Sequence, residues 1–103
     1  MDWKRRLREE GFLEIPGFRI ELTLDNTLMG IEYVPRIIVY DEETERWYVL
    51  RNEVPGGRTF EEGWENAVSL LERILSGEEP ALIEGEVADR FLLAIRKHLG
   101  KSP

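Results

Sequence analysis

The chain contains no cysteine and a single histidine. The first absence excludes disulfides, thiolate zinc sites and a cysteine nucleophile. The lone histidine, His98, stands beside Lys97 at the end of a helical stretch. Ser69 falls inside a different helix, and no motif relates it to His98 as a nucleophile–base pair would require. Metal-ligand spacing is absent too, so no metal and no cofactor is expected. Adjacent carboxylates occur at Glu42–Glu43, Glu61–Glu62 and Glu78–Glu79. They fall at turns and helix starts, where local structure accounts for them without acid–base catalysis. No apolar run approaches the ~20 residues needed to span a membrane. The opening residues Met1-Asp2-Trp3-Lys4-Arg5-Arg6 also lack the apolar core of a signal peptide. A cytoplasmic, non-catalytic protein with no membrane association is the expectation.

Basic residues are outnumbered, 14 against 21 acidic ones, for a net charge of −7. The deficit is uneven. Residues 41–86 carry 13 acidic and 4 basic side chains, whereas residues 87–103 carry 1 acidic and 4 basic. An acidic middle disfavours phosphate-backbone binding there and suits either a solvated surface or docking on a basic partner. With 103 residues, of which 42% are hydrophobic, the chain reads as one domain, 1–103, with a core of its own.

The stretch 36–75 organises the rest. Phe60, Trp64, Ala67, Val68, Leu71, Ile74 and Leu75 recur at spacings of three and four, the stripe of an amphipathic helix. Thr59 is its N-cap, with Glu62 completing a capping box, and Gly77 is placed to end it in the left-handed conformation. Gly63 interrupts the stripe, as a tolerated first-turn residue or as a point of close backbone approach. Upstream, Ile37–Tyr40 and Trp47–Leu50 have strand composition. The polar stretch 41–46 between them offers no Gly or Asn for a two-residue hairpin, which favours a longer loop built on a type I turn.

Asp41, Trp47, Pro55-Gly56, Thr59, Glu61-Glu62 and Asn66-Ala67 together resemble the N-terminal domain of HicB-like antitoxins. The resemblance covers residues 36–75. It implies a three-stranded meander with a helix, in a reduced RNase-H-like arrangement without nuclease chemistry. The chain departs from the family's pattern in a shorter Pro55–Thr59 loop and in having no evident C-terminal DNA-binding module. The resemblance also implies a homodimer joined at an exposed strand edge, an edge that Pro35 would equally serve to protect.

The remaining segments read in order. Asp2 to Glu10 is a short helix closed by Gly11, and Phe12–Ile15 is a candidate short strand ending at Pro16-Gly17. Residues 18–24 alternate cleanly, with Phe18, Ile20, Leu22 and Leu24 on one face. After the Asp25-Asn26 turn, residues 28–41 are expected to form one long strand kinked at Pro35, with Met29, Ile31 and Tyr33 on one face and a bulge at Gly30. Residues 81–83 fit either a strand or the start of the last helix, 86–99. Lys101-Ser102-Pro103 reads as a frayed tail. The fold class expected is α+β, in the order α-β-β-β-α-α: an antiparallel three-stranded meander of 18–25, 28–41 and 46–51, with a fourth short strand if 12–15 joins, packed by helices.

Two sets of candidate site residues emerge. Glu42, Glu43 and Glu45, with Trp47 and Tyr48, form a partner-binding set combining charge steering with an aromatic anchor. Arg51, Gly56, Gly57 and Arg58 form a weaker anion-contact set, with glycine amides beside a helix N-terminus and flanking arginines but no P-loop pattern. The function expected is a non-catalytic acidic interaction module, antitoxin-like or inhibitor-like, for a partner with a basic surface. The alternatives are a small nucleic-acid-binding module using sheet aromatics and arginines, which the acidic balance disfavours, and a structural or designed domain with no ligand.

Overall fold

A computed structural model describes residues 2–27 and 29–100. The chain begins with α1 (Trp3–Glu10), capped by Asp2, whose carboxylate accepts from the Arg5 amide at 3.2 Å. Gly11 ends it at φ 78°. Four strands follow: β1 (Phe12–Ile15), β2 (Phe18–Asn26), β3 (Tyr33–Asp41) and β4 (Arg46–Val49). They form one antiparallel sheet in the order β1-β2-β3-β4. Two helices complete the chain, α2 (Phe60–Ser76) and α3 (Val87–His98). The class is α+β with a meander, as the alternation suggests, and β1 supplies the fourth strand.

Register places Phe18, Ile20 and Leu22 of β2 opposite Asp41, Val39 and Ile37 of β3, all on one face. With Leu13, Ile15 and Tyr48 these side chains are buried against Leu7 of α1, Ala67, Leu70, Leu71 and Ile74 of α2, and Phe91 and Ile95 of α3. Among the described residues no layer covers the opposite face, a single-sided packing that antiparallel sheets tolerate when that face is mixed or polar. None of the described helices is long and apolar enough to cross a membrane.

The start of α2 follows its residues closely. Thr59 Oγ1 accepts from the Glu62 amide at 3.1 Å, and Glu62 reaches back to the amide of Arg58 at 2.8 Å. Gly63 is a point of close approach. A Cβ built there would lie 2.9 Å from the carbonyl oxygen of Tyr33 and 3.0 Å from Leu24 Cδ2. The glycine lets the first turn of α2 settle directly on β3.

Three expectations need correction. β3 begins at Tyr33, so residues 29–32 are not strand; Leu28 lies outside the described residues. Residues 27 and 29–32 lie outside the strands: the Thr27 amide donates to Glu32 O, and Gly30, at φ 69°, donates to Thr27 O. Gly30 is therefore a turn residue, and Met29 and Ile31 are exposed. The kink at Pro35 is absent, because Pro35 pairs in register with Leu24 inside a continuous β3. Backbone phase explains its tolerance. Tyr33 exchanges hydrogen bonds with Gly57, and Ile37 O accepts from Leu50, so odd-numbered residues of β3 direct their backbone groups toward the β4 side. Pro35 lies between those two points, and its missing N–H faces a place where no strand runs. Residues 81–83 are neither strand nor helix. The expected tail, residues 101–103, falls outside the described residues.

Candidate functional site

The β3–β4 turn, residues 42–45, is built on Asp41. Its carboxylate is fully enclosed. Oδ1 accepts from the Glu43 amide at 3.1 Å and Oδ2 accepts from Thr44 Oγ1 at 2.9 Å, the local turn chemistry of an aspartate. Arg90 of α3 closes the set with a bidentate pair, Nη1 to Oδ1 at 3.0 Å and Nη2 to Oδ2 at 2.6 Å. The Arg90 guanidinium, then the Thr44 hydroxyl and the Glu43 amide, hold the Asp41 carboxyl down at about 2 against the opposing effect of burial. Glu45 occupies the left-handed region at φ 56°, the role a glycine or asparagine would usually take, and its amide donates to Asp41 O at 2.8 Å.

Around this anchor the predicted residues separate. Glu42, Glu43 and Glu45 are all exposed on the turn. Glu43 pairs with Arg90 Nη1 at 2.9 Å, while Glu42 and Glu45 have no cationic partner among the described residues. Trp47 is 49% exposed on the open sheet face and lies against Tyr40, ring centroids 5.1 Å apart. Val34 and Val49 are exposed on the same face, Val49 opposite half-buried Ile38 and Trp47 opposite half-buried Tyr40. Tyr48 points the other way. Its ring is buried with the core, and its hydroxyl lies 3.2 Å from Thr44 Oγ1. The five residues thus divide into an acidic turn with Trp47 facing outward and Tyr48 supporting the turn from beneath. Glu43, Thr44, Arg46 and Tyr48 form one wall of a cleft of about 570 Å³, and Glu84–Val87 with Arg90 form the other.

The anion-contact set is brought together only in part: Gly56 and Arg58 line one cleft with Gly30, Ile31 and Glu32, and Arg51 lies elsewhere. The Gly57 amide donates to Tyr33 O at 2.9 Å and the Arg58 amide to Glu62 at 2.8 Å, so neither is directed at a ligand. Arg51 extends toward Glu84 at 3.6 Å. A Cβ at Gly57 would collide with Glu62 and Gly63, so this glycine serves the close docking of the strand-to-helix connection on α2.

Arg90, Thr44 and Asn52 were not legible as site residues. Asn52 is buried and donates to Glu79 Oε2 at 2.8 Å and Pro80 O at 2.7 Å, while its carbonyl accepts from the Leu82 amide at 2.8 Å. Its hydrogen bond and the Arg73 guanidinium lower the Glu79 pKa. The clamp fixes the 79–82 segment beside the end of β4. The only sequence hint was an asparagine directly after a strand. No group of carboxylates or histidine that would hold a metal ion occurs among the described residues. No protein-family model matches the chain, and searches of curated proteins and of solved structures return no match.

Proposed function

We propose that this protein is a non-catalytic, cytoplasmic interaction module, antitoxin-like or inhibitor-like, that docks on a basic surface of a partner protein. One observation carries the reading: Trp47 and Tyr40 stand on an uncovered sheet face beside a turn whose Glu42 and Glu45 have no cationic partner among the described residues. The Asp41–Arg90 pair holds that turn in one shape before any partner arrives, which lowers the ordering cost of association. The carboxylates would steer encounter, and burial of Trp47 would supply the anchor.

A tagged pull-down with mass spectrometry identifies the partner, and stopped-flow binding then tests the mechanism. In the triple variant Glu42→Gln, Glu43→Gln, Glu45→Gln, association slows by about tenfold at low salt and its salt dependence flattens. Unchanged kinetics would remove charge steering from the proposal. The nucleic-acid alternative has one observation in its favour: Arg36 lies on the same open face with no acidic partner among the described residues. A salt-dependent mobility shift with single-stranded oligonucleotides, lost on Arg36→Ala, would favour it.

A further inference from the structure

β4 ends the sheet on one side, and its free edge has a definite hydrogen-bond phase. Tyr48 is in register with Val39, and Leu50 donates to Ile37 O at 3.0 Å, so even-numbered residues of β4 direct their backbone groups toward β3. The N–H and C=O groups of Trp47 and Val49 therefore point outward, and no backbone group takes them among the described residues. At Arg51 the edge is already occupied, because its amide donates to Leu82 O at 2.8 Å. The chain does not continue that pairing. Glu84–Val87 stand off as the far wall of the cleft of about 570 Å³, whose near wall includes Arg46 and Tyr48.

We propose that this edge takes an extended segment of a partner protein as a further antiparallel strand, and that the segment it selects has the pattern apolar–basic–apolar. The inference rests on docking to a basic partner and adds the form in which that partner is presented. Antiparallel addition lets the residues opposite Trp47 and Val49 use every outward backbone group of both. The direction of the side chains then sets the pattern. Residues opposite Trp47 and Val49 lie on the open face beside two half-exposed apolar neighbours, where aromatic and β-branched side chains pair well. The residue between them lies opposite Tyr48 and points to the other face, where the cleft opens. Of the cleft's two cations, Arg90 is bound by Asp41 and Glu43, and Arg46 lies over the Tyr48 ring, 5.9 Å from its centroid. On the far wall Glu86 has no cationic partner among the described residues, and Glu84 has a long contact to Arg51, 3.6 Å between exposed groups. A lysine or arginine at the central position answers these carboxylates, whereas an acidic residue would meet like charge. A second copy of β4 would bring its own Tyr48 to that position and leave both carboxylates unanswered. The opposite edge of the sheet, β1, is blunted by exposed Glu14 and by Pro16 next to it.

The probe is a synthetic end-capped peptide of about seven residues, with a central lysine between two valines and threonines outside them. The control peptide has glutamate at the centre. In NMR titration of the isotope-labelled intact chain, the lysine peptide should shift the Trp47 and Val49 amide resonances with a Kd of about 0.1–1 mM, as expected of a small interface. The glutamate peptide should bind about tenfold more weakly, and the double variant Glu84→Lys, Glu86→Lys should reverse that preference. Val49→Pro deletes an outward donor that the fold does not use, so it should keep the native circular dichroism and lose the peptide. The charge reversal tests the same site without touching the strand. No shift at Trp47 and Val49 up to about 5 mM peptide, or equal binding of the two peptides, would overturn the proposal. Shifts at those amides that follow the protein's own concentration without peptide would put a second copy on the edge and overturn it as well. Partner capture separates this inference from the docking it rests on. A basic partner held equally by the wild type and by Val49→Pro would leave docking in place and overturn strand addition. Selective binding of the lysine peptide with no basic partner captured would leave the edge site in place and remove the docking reading.

Discussion

Asp41 is where the chemistry of single residues is most concentrated. A carboxylate removed from water is costly unless its charge is paired and its lone pairs are occupied. Here Arg90, Thr44 and the Glu43 amide do both. The folded carboxyl titrates at about 2 against an ordinary value of 3.8, so it binds its proton less readily in the native state than in the unfolded one. Its contribution to stability is complete above about pH 4 and disappears as the pH falls through 2. That contribution is about 2 kcal/mol. Urea denaturation of the protein and of Asp41→Asn should differ by about that amount at pH 6, and the difference should shrink steadily between pH 4 and pH 2. A difference that stays constant across this range would assign the stabilisation to shape and hydrogen bonding, not to the charge.

At the scale of elements, contact between α2 and β3 depends on the absence of one side chain. In an isolated helix, alanine in place of Gly63 would gain up to about 1 kcal/mol. Here its methyl group would meet the Tyr33 carbonyl oxygen at 2.9 Å, in backbone that cannot easily move aside. The expected net effect of Gly63→Ala is a loss of about 1–3 kcal/mol by urea denaturation, opposite in sign to the propensity scale. Elements written in local chemistry were legible in advance. Thr59, Glu62 and Gly77 mark both ends of α2, and Phe18 to Leu24 show the strand phase by alternation. The missed features depend on distant chain. Tyr33 begins β3 where it meets Gly57, and nothing near residue 33 announces that bridge. Pro35 reads as an interruption until the position of β4 shows which way its nitrogen faces. Residues 81–83 have strand composition but are held in loop geometry by Asn52, about 30 residues away in sequence.

For the whole molecule, placing all three helices on one side of the sheet gives the two faces different tasks. The covered face holds the core, and the open face carries Ile38, Tyr40, Trp47 and Val49 as paired neighbours, with Val34 beyond Arg36. That side of the candidate site could not be read from the chain alone, because alternation shows which residues share a face but not which face the helices cover. Trp47 and Tyr48 are neighbours of similar character, and one is anchored in the core while the other is presented to solvent. The acidic turn was more accessible to sequence reasoning, since its charge is local. The arginine that holds it in place is 49 positions away.

That separation bears on the order of events in folding. The meander joins neighbouring strands and forms through short loops, whereas the Asp41–Arg90 pair closes only when α3 has come round to the sheet, the kind of long-range contact made late. Arg90→Met keeps the side chain's bulk beside Phe18 and removes the guanidinium. In stopped-flow experiments this variant should refold at nearly the wild-type rate but unfold several times faster. The pair then acts as a latch on the finished fold: it sets how long the molecule stays folded and has little influence on how quickly it gets there.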